Sequence, residues 1–157
     1  MPKILEAWLE VKPRHSPFID KEAVYENKQQ KNTWAKSIFA TTLFVEDLEA
    51  SKTFYQEVFD LPIDFEDDAS AVFNFGNTII NLLKVSEAPE LIEPAKVASS
   101  EAGASTVFTI QVDDVDAMCE QLRSRGVELL NGPVDRPWGI RTASFKDPAG
   151  YIWEIAK

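Results

Sequence analysis

Leu43-Phe-Val-Glu-Asp-Leu-Glu-Ala-Ser51 recurs 67 residues later as Ile110-Gln-Val-Asp-Asp-Val-Asp-Ala-Met118. Each copy begins with strand-forming residues, reaches an Asp placed to cap a helix, and continues at helical spacing. A strand–helix unit written twice predicts a chain of two related modules. In the first, residues 38–45 read as a strand and Asp47 as a cap, with Leu48, Ser51, Phe54, Tyr55 and Val58 as one buried stripe. Asp60, Leu61 and Pro62 end that helix, and strands follow at 63–66, 71–75 and 78–84, the last two joined by a Gly76-Asn77 turn. In the second, a strand at 106–112 leads to Asp114 and to the stripe Val115, Met118, Cys119 and Leu122, which stops at Gly126. Strands at 127–130, 140–145 and 151–156 complete it, with Asp147-Pro-Ala-Gly150 as a turn.

Each module is therefore expected to be βαβββ, which makes the class α+β. Two such modules give eight strands curved around a cup, with the helices outside. The domain spans 38–157, as modules 38–85 and 106–157 joined by a 20-residue connection at 86–105. Connections of that length are uncommon without a role, and this one serves either as a cover for a site or as a plain linker. Residues 1–37 form an extension outside the repeat, with Ile4, Leu5, Trp8 and Leu9 at helical spacing and a polar stretch from Glu26 to Lys36.

Composition narrows the function. The hydrophobic share of 45% supports a packed core, and no apolar run approaches the length of a membrane span. Glu6 and Glu10 interrupt what a signal peptide needs as a continuous apolar stretch, so a cytoplasmic location is expected. The formal charge of −10 is uneven: residues 1–37 carry seven Lys/Arg and five Asp/Glu, the remainder nine and twenty-one. Such a domain repels phosphate backbones, which argues against nucleic acid and for a cationic or neutral small molecule. Cys119 falls on a buried helix stripe, and the sole histidine, His15, lies in the extension. Neither is placed as a nucleophile or metal ligand.

Strand alternation assigns the faces. Thr41, Leu43 and Val45 suit the helix side, leaving Ala40, Thr42 and Phe44 toward the cup. The repeat offset turns Phe108, Ile110 and Val112 to the helix and Val107, Thr109 and Gln111 inward. In the last strand Glu154 sits among apolar neighbours, as Asn81 does in the matching strand of the first module. A polar group in such a place needs a partner, from a ligand or from the other module.

Val45-Glu-Asp-Leu-Glu-Ala-Ser-Lys-Thr-Phe-Tyr55, Val112-Asp-Asp-Val-Asp-Ala-Met118 and Asp147-Pro-Ala-Gly-Tyr-Ile-Trp-Glu154 resemble the vicinal oxygen chelate superfamily. That superfamily includes glyoxalase I, extradiol dioxygenases, fosfomycin-resistance enzymes and bleomycin-resistance proteins. The resemblance covers residues 38–157 and implies a divalent metal held by four inward-facing side chains, one from the first and one from the last strand of each module. Carried onto this chain, those positions are Ala40, Asn81, Val107 and Glu154. Two are hydrocarbon and one is an amide, too few donors for a catalytic ion. No metal and no cofactor are therefore expected.

The resemblance then leans to the metal-free branch, in which bleomycin-resistance proteins bind the drug unaltered as dimers. Arg136-Pro-Trp-Gly-Ile-Arg141 is similar to a Trp-Gly-x-Arg stretch of that branch. Trp138 offers a flat face for aromatic or cationic ligands, and Arg141 a rigid fork for a carboxylate or amide. The expected ligand contacts are Thr42, Phe44, Asn81, Gln111, Trp138, Arg141 and Glu154. The expected function is binding of a small aromatic or cationic molecule, such as an antibiotic, by a homodimer that uses neither nucleic acid nor membrane. The alternatives are an enzyme with Glu154 as general acid or base, or a metal-dependent lyase or dioxygenase. Whether the cup forms within one chain or across two is left open.

Overall fold

A computed structural model describes residues 34, 35 and 37–157. The helical spacing at Ile4–Leu9 and the position of His15 fall outside the described residues. Trp34, at the edge of that extension, is exposed.

Both modules are βαβββ. The first runs β1 (Ala40–Val45), α1 (Leu48–Val58), β2 (Ile63–Glu66), β3 (Ser70–Asn74) and β4 (Ile79–Lys84). The second runs β5 (Val107–Gln111), α2 (Val115–Ser124), β6 (Leu129–Asp135), β7 (Arg141–Lys146) and β8 (Ile152–Ala156). The strands pair as two four-stranded sheets, β1-β4-β3-β2 and β5-β8-β7-β6. In each, the first and last strands of the module are parallel neighbours. The connection contains short turns of 3-10 helix at Val85–Glu87 and Ser100–Ala102 and one helical turn at Pro89–Ile92. Among the described residues, no helix is long and apolar enough to cross a membrane.

The two Asp caps form as the repeat predicts. Asp47 accepts from the Ala50 N–H at 2.9 Å and Asp114 from the Ala117 N–H at 3.0 Å, satisfying donors that the first helical turn leaves unpaired. The stops differ. Gly126, at φ 80°, ends α2, and the Val127 N–H reaches back to the Leu122 carbonyl. At the end of α1 the left-handed residue is Asp60, at φ 56°. A side chain there is strained, and its carboxylate lies at the negative end of the helix.

One core holds both modules. Leu43, Val45, Ile80 and Leu82 from the first sheet cluster with Ala143, Phe145, Trp153 and Ile155 from the second, and with Tyr55 and Cys119 from the two helices. Rings cross the boundary: Trp153 packs on Phe59 at 4.7 Å, on Phe75 at 5.5 Å and on Tyr55 at 5.9 Å. Such pairs add about 0.5–1.5 kcal/mol each beyond the area they bury. Polar bonds follow the same seam. The buried Tyr55 hydroxyl donates to Asp147 Oδ2 at 3.0 Å. The Tyr151 hydroxyl meets the Phe44 N–H at 2.9 Å and the Phe44 carbonyl at 3.0 Å. Arg125 donates to the Val58 carbonyl at the end of α1, where a cation is favoured.

Burial raises the Asp147 carboxyl above its ordinary range, against the pull of the Tyr151 N–H, the Tyr55 hydroxyl and the Ala149 N–H. Burial likewise raises the Tyr55 hydroxyl, with the Asp147 charge acting in the same direction. Tyr55→Phe removes one donor from a buried carboxylate and should cost about 1.5–3 kcal/mol at neutral pH. The Tyr55 bond favours the charged form of Asp147, so its contribution is present when Asp147 is ionised and lost as the pH falls and the carboxyl takes up a proton. Urea unfolding of the variant against the parent should show the smaller difference at pH 4. Asp60→Gly should raise stability by about 0.5–1 kcal/mol by relieving the left-handed strain, read as a higher urea midpoint at unchanged slope.

Candidate functional site

Because both helix-facing surfaces share one core, each sheet turns its other face away from it. Alternation and register define these outer faces. In the first sheet Thr42 pairs with Asn81, which pairs with Val72. In the second, Thr109 pairs with Glu154, Glu154 with Ser144, and Ser144 with Asn131. Asn81 and Glu154 therefore belong to different outer faces and do not converge within one chain.

The faces differ in access. On the first, Ser70, Val72, Ile79, Asn81 and Leu83 are at most 1% exposed. Asn81 Nδ2 lies 3.4 Å from Thr42 Oγ1, and its Oδ1 has no hydrogen-bond partner. A ligand from solvent does not reach Asn81 unless this face opens. Phe44 lies toward the far end of β1 and lines, with residues 96–100 and 103–105 of the connection and Tyr151, a cavity of about 240 Å³.

The second face is open along β5. Val107 is 54% exposed, and Thr109 and Gln111 are exposed beside it. Glu154, half-buried, accepts from the Thr109 hydroxyl through Oε1 at 3.0 Å. Thr142 and Ser144 line the next strand, both buried. Arg136 reaches over this face: its Nε donates to Thr142 Oγ1 at 2.8 Å and its Nη2 to Asn131 Oδ1 at 2.9 Å. The arrangement offers a carboxylate, a guanidinium, hydroxyls and an amide around exposed aliphatic carbon.

The expected contacts thus divide. Gln111 and Glu154 share the open face, while Thr42, Phe44 and Asn81 lie on the other sheet. Trp138 is 69% exposed at the tip of the β6–β7 hairpin, where Gly139 takes φ 92° and its N–H bonds the Arg136 carbonyl. It neither stacks in the core nor closes it. Arg141 requires correction. It shares strand parity with Ala143 and Phe145, so it points to the helix side. There Nε and Nη2 bind Asp116 at 2.7 and 2.9 Å, and Nη1 binds Asp135 at 2.9 Å. These hydrogen bonds hold the Asp116 carboxyl below its usual range. Arg141 braces α2 to the β6–β7 hairpin and is not available to a ligand on the open face. The arginine on that face is Arg136, at the other end of the same motif. The parity of Arg141 with two apolar neighbours was the signal that separates them.

Residues 37–155 match the family model of the glyoxalase/bleomycin resistance protein/dioxygenase superfamily. The chain belongs to that superfamily. It is 34% identical over 119 residues to the uncharacterised protein YraH of Bacillus subtilis (strain 168), covering 73% of this chain and 93% of that one. Among solved structures it resembles a glyoxalase/bleomycin resistance protein/dioxygenase from Nocardioides, at 25% identity and a TM-score of 0.72, covering 82% of this chain and 87% of the other. The fold is also that of lactoylglutathione lyase from Agrobacterium tumefaciens, at 23% identity and a TM-score of 0.65, covering 79% and 95%.

The metal that the superfamily implies does not fit these residues. Ala40 and Val107 have no donor atom, and Asn81 and Glu154 face away from each other's sheet. Among the described residues no three His, Cys, Asp or Glu side chains are grouped to hold an ion. Adding Mn²⁺, Ni²⁺, Fe²⁺ or Zn²⁺ to chelator-treated protein should leave the thermal midpoint unchanged, and equilibrium dialysis should find no stoichiometric ion. An ion bound one per chain and lost on Glu154→Gln would contradict this assignment.

Proposed function

We propose that this protein binds a small aromatic or cationic molecule without a metal, on the outer face of the β5–β8 sheet, and acts as a homodimer. The observation that carries this reading is a sheet face left open to solvent with its polar groups already fixed. Thr109 orients the Glu154 carboxylate, and aliphatic carbon at Val107 stands exposed beside it. Pre-oriented groups lose little freedom on binding and favour a ligand over water. A carboxylate without an ion pair among the described residues attracts a cation, and exposed Trp138 supplies a face for an aromatic ring.

The same face supports a second copy as partner. Val107 and Val134 stand exposed. By pairing with Thr142, Val134 belongs to the outer side of its sheet. They stand on the two edge strands of the sheet, and a facing copy would take both from water. A facing copy would turn the open sheet into an enclosed cup, which suits a ligand that must be held away from water.

Thermal unfolding against bleomycin-type and other aromatic or cationic compounds tests the reading. A true ligand at 100 times its Kd should stabilise the fold by about 2.7 kcal/mol, and Glu154→Gln should weaken binding of a cationic one about tenfold or more. Light scattering should give twice the chain mass. Mass spectrometry should recover the ligand unchanged, whereas a modified product would move the reading to an enzyme using Glu154 as acid or base. Absence of stabilisation across the panel would overturn it.

A further inference from the structure

The open face carries two fixed charges that do not neutralise each other. Arg136 is anchored at Nε by Thr142 and at Nη2 by Asn131. Glu154 is anchored at Oε1 by Thr109. Among the described residues no ion pair joins the two, and Arg136 Nη1 and Glu154 Oε2 make no hydrogen bond. Asn131 stands opposite Ser144, and Ser144 opposite Glu154. With strands about 4.8 Å apart and the carboxylate turned toward Thr109 on the far side of β8, the guanidinium lies about 10 Å from it. Arg141 shows the contrast: its fork is filled by Asp116 and Asp135. Arg136 is held by neutral partners, so no carboxylate offsets its charge and part of its fork is left over.

A purely cationic ligand at Glu154 meets repulsion from Arg136, and a purely anionic one at Arg136 meets it from Glu154. A molecule with both charges satisfies both groups, and the unwanted pairings weaken its singly charged competitors. Resting on the reading that this face binds a small molecule, we infer that its ligand is a zwitterion whose cationic group pairs with Glu154 and whose carboxylate pairs with Arg136, about two strand spacings away. The exposed aliphatic carbon at Val107 receives the apolar part. Arg136 is then a specificity-determining residue.

A dipeptide spans about 7 Å and serves as the probe. Calorimetric titration of the full chain would compare phenylalanyl-glycine with its C-terminal amide, which lacks the carboxylate, and its N-acetyl form, which lacks the ammonium. The zwitterion should bind about tenfold or more tightly than either. Arg136→Met should abolish the preference over the amide and keep that over the N-acetyl form, Arg136→Lys should restore part of it, and Glu154→Gln should do the converse. Thermal unfolding of each variant checks that it folds. If the three probes bind equally, or if the preference over the amide survives Arg136→Met, the zwitterion inference falls and the binding function stands. If no probe binds and the aromatic and cationic panel also fails, both fall.

Discussion

The buried bond from Tyr55 to Asp147, with Trp153 packed against Tyr55, Phe59 and Phe75, is the constraint from which the rest follows. It lies between the modules. A carboxylate is tolerated at 5% exposure only because the Tyr55 hydroxyl and the N–H groups of Ala149 and Tyr151 surround it. The seam fixes the helix-facing side of both sheets inward, and strand alternation then forces the other side of each sheet outward. The place of every candidate site residue depends on that choice.

The same constraint bears on chemistry. In the superfamily to which the chain belongs, a metal would need donors from matching strands of both modules. Here those strands offer Ala40 and Val107, and the two polar positions look out of different sheets. The sheet bearing Asn81 is closed to solvent, whereas the sheet bearing Glu154 is open. On that sheet's outer face neutral hydroxyl and amide groups hold one carboxylate and one guanidinium in place. The two arginines of the Arg136-Pro-Trp-Gly-Ile-Arg141 stretch divide the labour: one joins helix to hairpin and the other faces outward.

Much of this was legible in the chain because its determinants are local. Asp47 and Asp114 announce their helices through one side-chain bond each, and Gly126 announces a stop. Strand parity placed Leu43, Ile110, Trp153 and Glu154 on the faces they occupy. What was missed depends on contacts distant in sequence. The partners of Arg141 sit on α2 and β6. The burial of Asn81 follows from cover on its sheet, which local pattern does not report. Strand β6 runs from Leu129 to Asp135, past Gly132-Pro133 and beyond the strand expected at 127–130. Gly132 approaches β7 so closely that a Cβ would lie 2.6 Å from the Ala143 backbone, and a glycine serves there for contact, not for ending the strand.

Ligand binding on the outer face of the second sheet is tested by mapping amide chemical shifts of the labelled 157-residue chain during titration with an aromatic cation that stabilises it. The perturbed amides should centre on Thr109, Gln111, Thr142, Ser144 and Glu154, with Thr42 and Asn81 unmoved. Perturbation centred on Thr42 and Asn81, with the β5–β8 sheet silent, would contradict it.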